Sequence, residues 1–480
     1  MKTIALVLAG GKGNRFWPKS SPQLPKQFLA LEDSKTLLQK TVERLLKLVG
    51  LDDIYIVAPE QYQELIRMQL PELNNRNIII EPQARDTAVA IGYASLVISE
   101  RLKCDPVMVV VPSDHLVKDE ERWVSTLKQA AQFAELAEVV TVGISPTRLE
   151  TGYGYIILGQ SIPGQSIPGY FVKKFIEKPE KSVAKSLIEA GNCLWNSGMF
   201  IWKLSTFWAC LEKYFPDLFI VLEKIKNLWQ KTGSQGIDSN MLELFSIVPA
   251  ISIDFGVVEK CQKIIALKGD FYWDDMGDWR ALERNGLSQK ENILNYDSSG
   301  CIVDWSQGPA VVIGADNLVV SGSDEGLLVC TKDKLPRLKK ILNSPDFLEI
   351  EKKIEKERKN TDQKSGTVID KPWGKEIVWA HTKNYVAKIL VVFPGEATSV
   401  HLHQEKEETF YVQSGTGYIM LKDEVIPIKP GQVIHVEPRV PHRIIATSEV
   451  RLVEVSTNHL DDVIRLMDKY GREGKRKEDR

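Results

Sequence analysis

The chain has 480 residues, 62 Lys+Arg against 64 Asp+Glu, a formal net charge of −2 and a hydrophobic fraction of 43%. These are proportions of soluble globular protein in about three domains of roughly 150 residues each, and they exclude disordered, fibrous and collagen-like chains. Near-neutral charge leaves no basic stripe for nucleic acid, and no apolar run approaches the ~18 residues of a membrane span.

The first apolar run, Thr3 to Leu8, follows Lys2 in the manner of a signal peptide, but it is too short and flows straight into a glycine-rich loop. It reads as a strand. Further strands are expected at Ile54 to Val57, Asn77 to Ile80, Pro106 to Val111 and Val139 to Gly143. Between the first two, Leu38, Val42, Leu45, Leu46 and Val49 fall at helical spacing before Gly50, and helices are expected over Glu60 to Leu70, Asp86 to Lys103 and Glu121 to Ala137. This alternation implies an α/β domain with a mostly parallel sheet and helices on both faces. Ligands of such sheets bind at the carboxyl ends of the strands.

Residues 150 to 285 are less regular and hold six of the eleven Trp. Their tandem repeat, Gly159-Gln-Ser-Ile-Pro163 and Gly164-Gln-Ser-Ile-Pro168, reads as a surface loop. Short β-type runs (Cys301 to Trp305, Ala310 to Ile313, Leu318 to Val320, Leu327 to Cys330) indicate a small β-rich appendage over 286–345. The charged stretch Glu349 to Lys359 reads as an exposed helix and Asn360 to Gly366 as a linker, placing helix and linker over 346–367. Residues 368–465 read as an all-β barrel and 466–480 as a solvated tail. The six Cys are scattered singly, without CxxC, which fits a reducing cytoplasm and neither a disulfide framework nor a thiolate zinc site.

The first strand runs into Leu8-Ala-Gly-Gly-Lys-Gly-Asn-Arg-Phe-Trp-Pro-Lys-Ser20, then Leu24-Pro-Lys-Gln-Phe28. Successive glycines let backbone N–H groups approach phosphate oxygens. The loop is neither a P-loop nor a dinucleotide fingerprint, because no Gly-Lys-Ser/Thr follows and Phe16 holds the place of the third Gly. With Arg15 and Lys26 it delivers cations suited to a triphosphate. Asp114 sits just past the fourth strand and Asp274-Asp275 in a later turn, and such hard oxygen ligands suit Mg²⁺. Asp274 is open between a metal ligand and a turn carboxylate.

This run resembles the signature of sugar-1-phosphate nucleotidyltransferases, and its Arg-Phe-Trp-Pro and Pro-Lys-Gln-Phe pieces resemble the mannose-1-phosphate guanylyltransferase branch. The resemblance continues in order through Glu81 to Ala88, Pro112 to His115, Gly152 to Tyr155, Glu177 to Pro179, Trp195 to Phe200, Ser252 to Phe255 and Trp273 to Gly277. It implies a Rossmann-like nucleotidyltransferase domain over 1–285 that forms GDP-mannose from GTP and mannose 1-phosphate, by direct in-line attack on the α-phosphorus. It further implies catalytic roles for Arg15, Lys26, Asp114 and Asp275, the two aspartates holding Mg²⁺. The nucleotide would lie on Leu8, Ala9, Gly10, Gly11, Gly13, Glu81, Arg85, Asp86 and Thr87, and the sugar phosphate on Gly154, Glu177, Lys178, Asn196 and Asp254. Asp86 departs from the family, which usually has Asn there.

Six of the seven His (381, 401, 403, 435, 442, 459) lie in the last hundred residues. Gly395-x5-His401-x-His403-x4-Glu408-x6-Gly415 matches the first cupin motif at every offset, with His442 where a second-motif ligand would lie. His401 and His403 share one face of a strand. The set His401, His403, Glu408 and His442 offers a mixed N/O site for Zn²⁺, Mn²⁺, Fe²⁺ or Ni²⁺, and His381, His435 and His459 read as ordinary partly exposed histidines. Flanking segments Asp370 to Gly374, Glu454 to Val463 and Lys469 to Arg472 resemble the cupin half of bifunctional mannose-6-phosphate isomerases. That implies interconversion of mannose 6-phosphate and fructose 6-phosphate, with Lys406, Glu407, Glu437 and Arg443 as candidates for base or phosphate contact. The other reading is a non-catalytic cupin that binds a sugar or nucleotide sugar. A homo-oligomer is left open.

Overall fold

The run Thr3–Leu8, β1, is apolar along its whole length because both of its faces are covered. Ile4 and Leu6 join one core cluster while Ala5 and Val7 join another, the period-2 alternation of a strand between two layers. A computed structural model of the chain describes residues 2–11, 13–232, 239–288, 292–362, 367–422, 424–459 and 462–467. Two units emerge, Met1–Lys339 and Lys340–Arg480.

The first unit is built on a nine-stranded sheet. Its strands are β1, β2 (Ile54–Pro59), β3 (Ile78–Glu81), β4 (Val107–Pro112), β6 (Val139–Ile144), β7 (Tyr155–Ile162), β8 (Gly169–Ile176), β9 (Cys193–Lys203) and β10 (Ile264–Gly269), in the order β3-β2-β1-β4-β9-β6-β10-β8-β7. A separate two-stranded ribbon pairs β5 (Leu116–Lys118) with β11 (Tyr272–Asp274). The β3-β2-β1-β4 half is parallel, as the alternation of strands and helices implies. The other half is mixed: β9 enters antiparallel to both β4 and β6, and β7 and β8 form an antiparallel hairpin, so "mostly parallel" describes only the first half. Helices α1 (Leu37–Leu46) and α4 (Glu120–Phe133) cover one face and α3 (Asp86–Arg101) the other, while α2 (Gln63–Gln69) follows β2. α1 starts with a capping box, Thr36 accepting from the Gln39 N–H and Gln39 from that of Thr36.

The tandem repeat is no simple loop, since Gly159 to Ile162 continue β7 beyond Tyr155–Ile157, which pair with β9 as well as β8, and only the second copy turns the hairpin. Its polar residues are tolerated there because this end of β7 is exposed. In the appendage, Ile293–Tyr296 pairs in parallel with Ala310–Ile313 and Ile302–Asp304 with Leu318–Ser323. Ile293 faces Ala310 and Ile302 faces Val319, a shift of 17 residues each time (310 − 293; 319 − 302), so the chain coils here.

The second unit opens with a helix, Pro345–Asp362, that includes Asn360, expected in the linker; residues 363–366 lie outside the described residues. Two antiparallel sheets follow. One holds Thr367–Lys371, Gly374–His381, Tyr385–Val392, Val450–Thr457, Glu408–Ser414 and Val433–Val436; the other holds Glu424–Ile428, Gly417–Leu421, His442–Ala446, Val400–His403 and Val463–Met467, in these orders. Their inner faces enclose a core including Trp373, Phe410, Ile419, Ile434 and Ile444. Gly415, closing the first motif, has φ 89°, and a Cβ there would lie 2.1 Å from the Glu449 carbonyl oxygen, so only glycine fits. Leu466 and Met467, expected in the solvated tail, belong to the last strand, and residues 468–480 lie outside the described residues.

Candidate active site and metal centre

In the first unit the glycine-rich loop leaves β1 at the carboxyl edge of the sheet and is pinned from within. Gln27 Nε2 donates to the carbonyls of Ala9 (2.9 Å) and Gly11 (3.0 Å). Gly13 (φ 60°) passes so close to Lys26 that a Cβ would stand 2.4 Å from its backbone nitrogen. The Leu8 carbonyl accepts from Ser113 and the Ala9 N–H donates to the Val57 carbonyl, so these two residues anchor the loop. Arg15 is exposed and lines a cavity of about 320 Å³ with Thr151, Tyr153, Asp275 and Gly277.

Lys26 stands differently from expectation. It is buried, and its ammonium donates to Asp114 Oδ2 (2.6 Å) and to the carbonyl oxygens of Asp275 (2.6 Å) and Met276 (3.1 Å). A lysine has three N–H donors, so Lys26 is fully engaged as a clamp between the two carboxylate loops. Loss of solvent pushes the Asp114 carboxyl up, but Lys26 outweighs it and holds the group below its ordinary value. His115, driven down to about 4 chiefly by desolvation, is neutral; its Nδ1 accepts from Trp273 Nε1 (3.1 Å), joining β5 to β11.

Asp274, the last residue of β11, is held by partners within the protein. It is buried, its oxygens take Arg284 Nε and Nη2 (3.0 Å each), and it accepts from the Met276 N–H (2.8 Å). Asp275 faces the cavity. Its Oδ1 accepts from the Tyr153 hydroxyl (2.6 Å), which in turn accepts from Arg148 Nη2 (2.8 Å). Asp114 and Asp275 are thus two hard-oxygen side chains on neighbouring loops, a donor set that fits Mg²⁺.

Two carboxylate sites flank this centre. Glu81, at the end of β3 beside Gly10, is raised to about 7 by burial and then by Asp86. Asp86 has φ 67° and turns its carboxylate onto the Thr87 N–H (2.7 Å). Arg85 is drawn to the Val248 carbonyl (2.6 Å), and Thr87 Oγ1 accepts from the Ile253 N–H (2.8 Å), tying α3 to the segment that carries Asp254. On the other flank Asn196 of β9 donates to Asp254 Oδ1 (2.8 Å), and burial followed by Glu177 raises Asp254 to about 7. Glu177 pairs with Lys178 through Oε1 (2.7 Å), while its buried Oε2 has no hydrogen-bond partner. Gly154 makes room for it, since a Cβ there would lie 2.4 Å from Oε2. An unpartnered buried acceptor is costly unless a ligand donor reaches it.

In the second unit, His401 and His442 stand opposite each other on paired strands, His403 lies two residues on, and Glu408 enters from the facing sheet. One ligand atom of each lies within 4.8 Å of all the others. The Nδ1 atoms face acceptors: the Ser399 carbonyl (2.8 Å) for His401, the Val440 carbonyl (3.0 Å) for His442 and Asp462 Oδ1 (2.6 Å) for His403. That assigns each proton to Nδ1 and leaves three Nε2 lone pairs converging. Burial drives His401 down to about 3 and lowers His403, which disfavours a second proton on either ring. Glu408 Oε2 is 3.0 Å from His442 Nε2 yet lacks a hydrogen bond. Converging lone pairs with one orphaned carboxylate oxygen are what a divalent cation satisfies.

The cluster opens into a cavity of about 260 Å³ walled by Lys371, Trp373, Glu376, Lys388, Lys406 and Glu454, with Val463 and Arg465 on the last strand. Burial works against the Lys406 charge, but Glu454 and Glu408, at 2.7 and 2.5 Å, hold it as an ammonium well above its ordinary range. Of the four expected isomerase residues only Lys406 lines this cavity. Glu407 and Arg443 alternate with the inward-facing Glu408 and His442, so the strand pleat turns them away, Glu407 toward His435 (3.3 Å) and Arg443 onto the Thr398 carbonyl (2.9 Å). Glu437 is exposed beyond the end of its strand. His381, His435 and His459 lie outside the cluster. Sequence reasoning missed Arg148, Tyr153, Arg284, Lys371, Lys388 and Asp462; Tyr153, Lys371 and Asp462 sit inside segments already singled out, while the others carry no local signal.

Among the described residues no helix is long and apolar enough to cross a membrane. The Nucleotidyl transferase family matches residues 4–291 and the Cupin domain family residues 388–456. The chain is 33% identical to Mannose-1-phosphate guanylyltransferase 2 of Escherichia coli O157:H7, covering 98% of both chains, and 31% identical to the mannose-1-phosphate guanylyltransferase of Salmonella montevideo, covering 97% of this chain and 99% of the relative. A crystal structure described as mannose-1-phosphate geranyltransferase from Thermus thermophilus superposes on 71% of this chain and 98% of its own, with a TM-score of 0.62 and 34% identity. Motif order, site geometry and full-length similarity agree: the chain belongs to the mannose-1-phosphate guanylyltransferase family, as a nucleotidyl transferase enzyme domain followed by a cupin domain.

Proposed function

We propose that the first unit transfers GMP from GTP to mannose 1-phosphate, giving GDP-mannose and pyrophosphate. The observation that carries this reading is the pair of buried carboxylate sites, Glu81 and Glu177 with Asp254, on either flank of the Arg15 cavity and the Asp114–Asp275 loops. Guanine presents two adjacent donors, N1–H and the exocyclic amine, to an ionised Glu81; adenine presents an acceptor at N1 and is rejected. The unpartnered Glu177 Oε2, Asp254 and Asn196 accept from and donate to sugar hydroxyls, and the Lys178 ammonium stands beside them for the sugar phosphate. An oxygen of mannose 1-phosphate attacks the α-phosphorus as the bond to the β-phosphate oxygen breaks. Arg15 places positive charge on the oxygens where charge develops, and the bound geometry aligns attack and departure. Mg²⁺ held by Asp114 and Asp275 would neutralise phosphate charge. Lys26 keeps these two loops together. Pyrophosphate release measured across GTP, ATP, CTP and UTP with mannose 1-phosphate tests the reading; release equal for all nucleotides, or none, overturns it.

For the second unit the reading best supported is interconversion of mannose 6-phosphate and fructose 6-phosphate. The cavity combines a four-ligand site for Zn²⁺, Mn²⁺, Fe²⁺ or Ni²⁺ with the cations Lys371, Lys388 and Arg465, which suits a compact sugar phosphate. Lys406, fixed as an ammonium, acts as a proton-holding cation beside a developing enediolate, and Glu376 and Glu454 are the cavity carboxylates that can move a proton between C1 and C2. The bound metal would polarise the carbonyl. A coupled assay with metal supplied and then chelated decides: no metal-dependent conversion leaves a non-catalytic sugar-binding module.

A further inference from the structure

The strand Val463–Met467 is the edge of its sheet, paired only with the ligand strand Val400–His403, His403 lying opposite Val463 and His401 opposite Arg465. One ladder of four residue pairs, interrupted by a register shift, is a weak hold for an edge strand. Immediately before it, Asp462 reaches back over the metal site. Its Oδ1 takes His403 Nδ1 at 2.6 Å, and its Oδ2 takes the backbone N–H groups of Glu405 and Lys406, each at 2.9 Å. One carboxylate therefore orients a metal-ligand imidazole and fixes the turn that leads from His403 to Glu408. Val463 and Arg465, just beyond, form part of the cavity wall.

We propose that Asp462 is a latch through which metal occupancy and the docking of the C-terminal strand stabilise each other. The proposal rests on the metal-centre reading above and assigns Asp462 as a positioning residue. A metal on His403 Nε2 makes the Nδ1–H a stronger donor to Asp462, and a docked Asp462 holds the ring in the tautomer and orientation that bind metal. Coupling of this kind is reciprocal: whatever the strand contributes to metal affinity, the metal returns to the strand. Asparagine is the discriminating substitution. Three N–H donors meet two carboxylate oxygens in the native arrangement, and Asn offers one oxygen and one NH₂, so it must either abandon the two backbone donors or turn its NH₂ on His403 and force the wrong tautomer.

The test uses the full chain, chelated and returned to excess Mg²⁺, then titrated with Zn²⁺. A His401→Ala/His442→Ala variant measures Zn²⁺ bound elsewhere. Asp462→Asn is expected to bind about tenfold to a hundredfold more weakly than the native chain. Glu405→Gln, an exposed neighbour, is expected to bind as the native chain does. Hydrogen exchange of the native chain gives an independent arm: Zn²⁺ should slow exchange of the amides of residues 463–467 by a comparable factor, and this slowing should be lost in Asp462→Asn. Native-like Zn²⁺ affinity in Asp462→Asn, or exchange of 463–467 indifferent to Zn²⁺, overturns the latch while leaving the metal centre standing. A native chain that binds no more Zn²⁺ than the double variant overturns the metal centre and the latch together. Should Asp462→Asn fail to fold, the exchange arm on the native chain decides alone.

Discussion

The two units both set a buried lysine against a central carboxylate but differ in what they leave unsatisfied. In the first, each acidic group of the central loops already has a protein counter-charge: Lys26 on Asp114, Arg284 on Asp274, and the Tyr153 hydroxyl backed by Arg148 on Asp275. In the second, Lys406 pairs with Glu408 through Oε1 only, and the other oxygen, Oε2, converges with three imidazole Nε2 atoms without a hydrogen bond of its own. A centre that receives its cation together with a nucleotide must remain stable without it, and a lysine clamp does that. A centre with a resident ion can leave its ligands unsatisfied, because the ion is part of the fold.

That contrast predicts separable failures. The largest effect falls on Arg15, an exposed guanidinium on the cavity wall that the proposed mechanism assigns to the phosphates. Arg15→Ala should lower guanylyl transfer by about a hundred- to a thousand-fold, the scale for removing one preorganised charge donor. Thermal unfolding and the cupin reaction should be unchanged. Near-normal GDP-mannose formation by this variant would remove Arg15 from the mechanism.

A smaller effect, visible as a pH profile, belongs to Glu81. Its carboxyl sits near 7 in the free protein, raised first by burial and then by Asp86. In the proposed guanine contact the ionised form accepts the two donors, so GTP binding should weaken as pH falls through 7 and be strongest above it. KM for GTP, measured at saturating mannose 1-phosphate so that Asp254 on the sugar side does not intrude, should rise about tenfold from pH 8 to pH 6. Glu81→Gln should flatten the profile at a raised KM, and Asp86→Asn, restoring the residue usual in the family, should shift it toward lower pH. A flat native profile would take Glu81 off the base.

Some of this was legible in the residues alone. The β3-β2-β1-β4 half could be read because its strands are buried on both faces and therefore appear as unbroken apolar runs. β7 and β8 could not, since the far end of their hairpin is exposed and carries a repeat that looks like a turn. At the sites, residues that meet substrate sit in compact motifs, whereas those that hold them come from far along the chain: Gln27 acts on Ala9, but Lys26 ends on carbonyls of Asp275 and Met276, and backbone atoms leave no trace in a sequence. Glu407 and Arg443 do not line the cupin cavity, and strand parity with Glu408 and His442 already points them outward.

The finest test of the comparison is Tyr153→Phe. The ring stands 5.2 Å from both Trp195 and Trp273 and beneath Arg148, so phenylalanine keeps the packing and removes one hydroxyl. Asp275 then loses its hydrogen bond and Arg148 loses an acceptor. A hydrogen bond to a charged group contributes about 1.5 kcal/mol at the low end, worth roughly a tenfold change in an equilibrium. The Mg²⁺ concentration needed for half-maximal guanylyl transfer should therefore change by up to about tenfold, while kcat at saturating Mg²⁺ stays near native. The direction discriminates. A higher requirement means that the hydroxyl aims Asp275 at the ion; a lower one means that it competes with the ion for the carboxylate, and the first unit would then hold Asp275, like Asp114, with a partner that yields when the metal arrives.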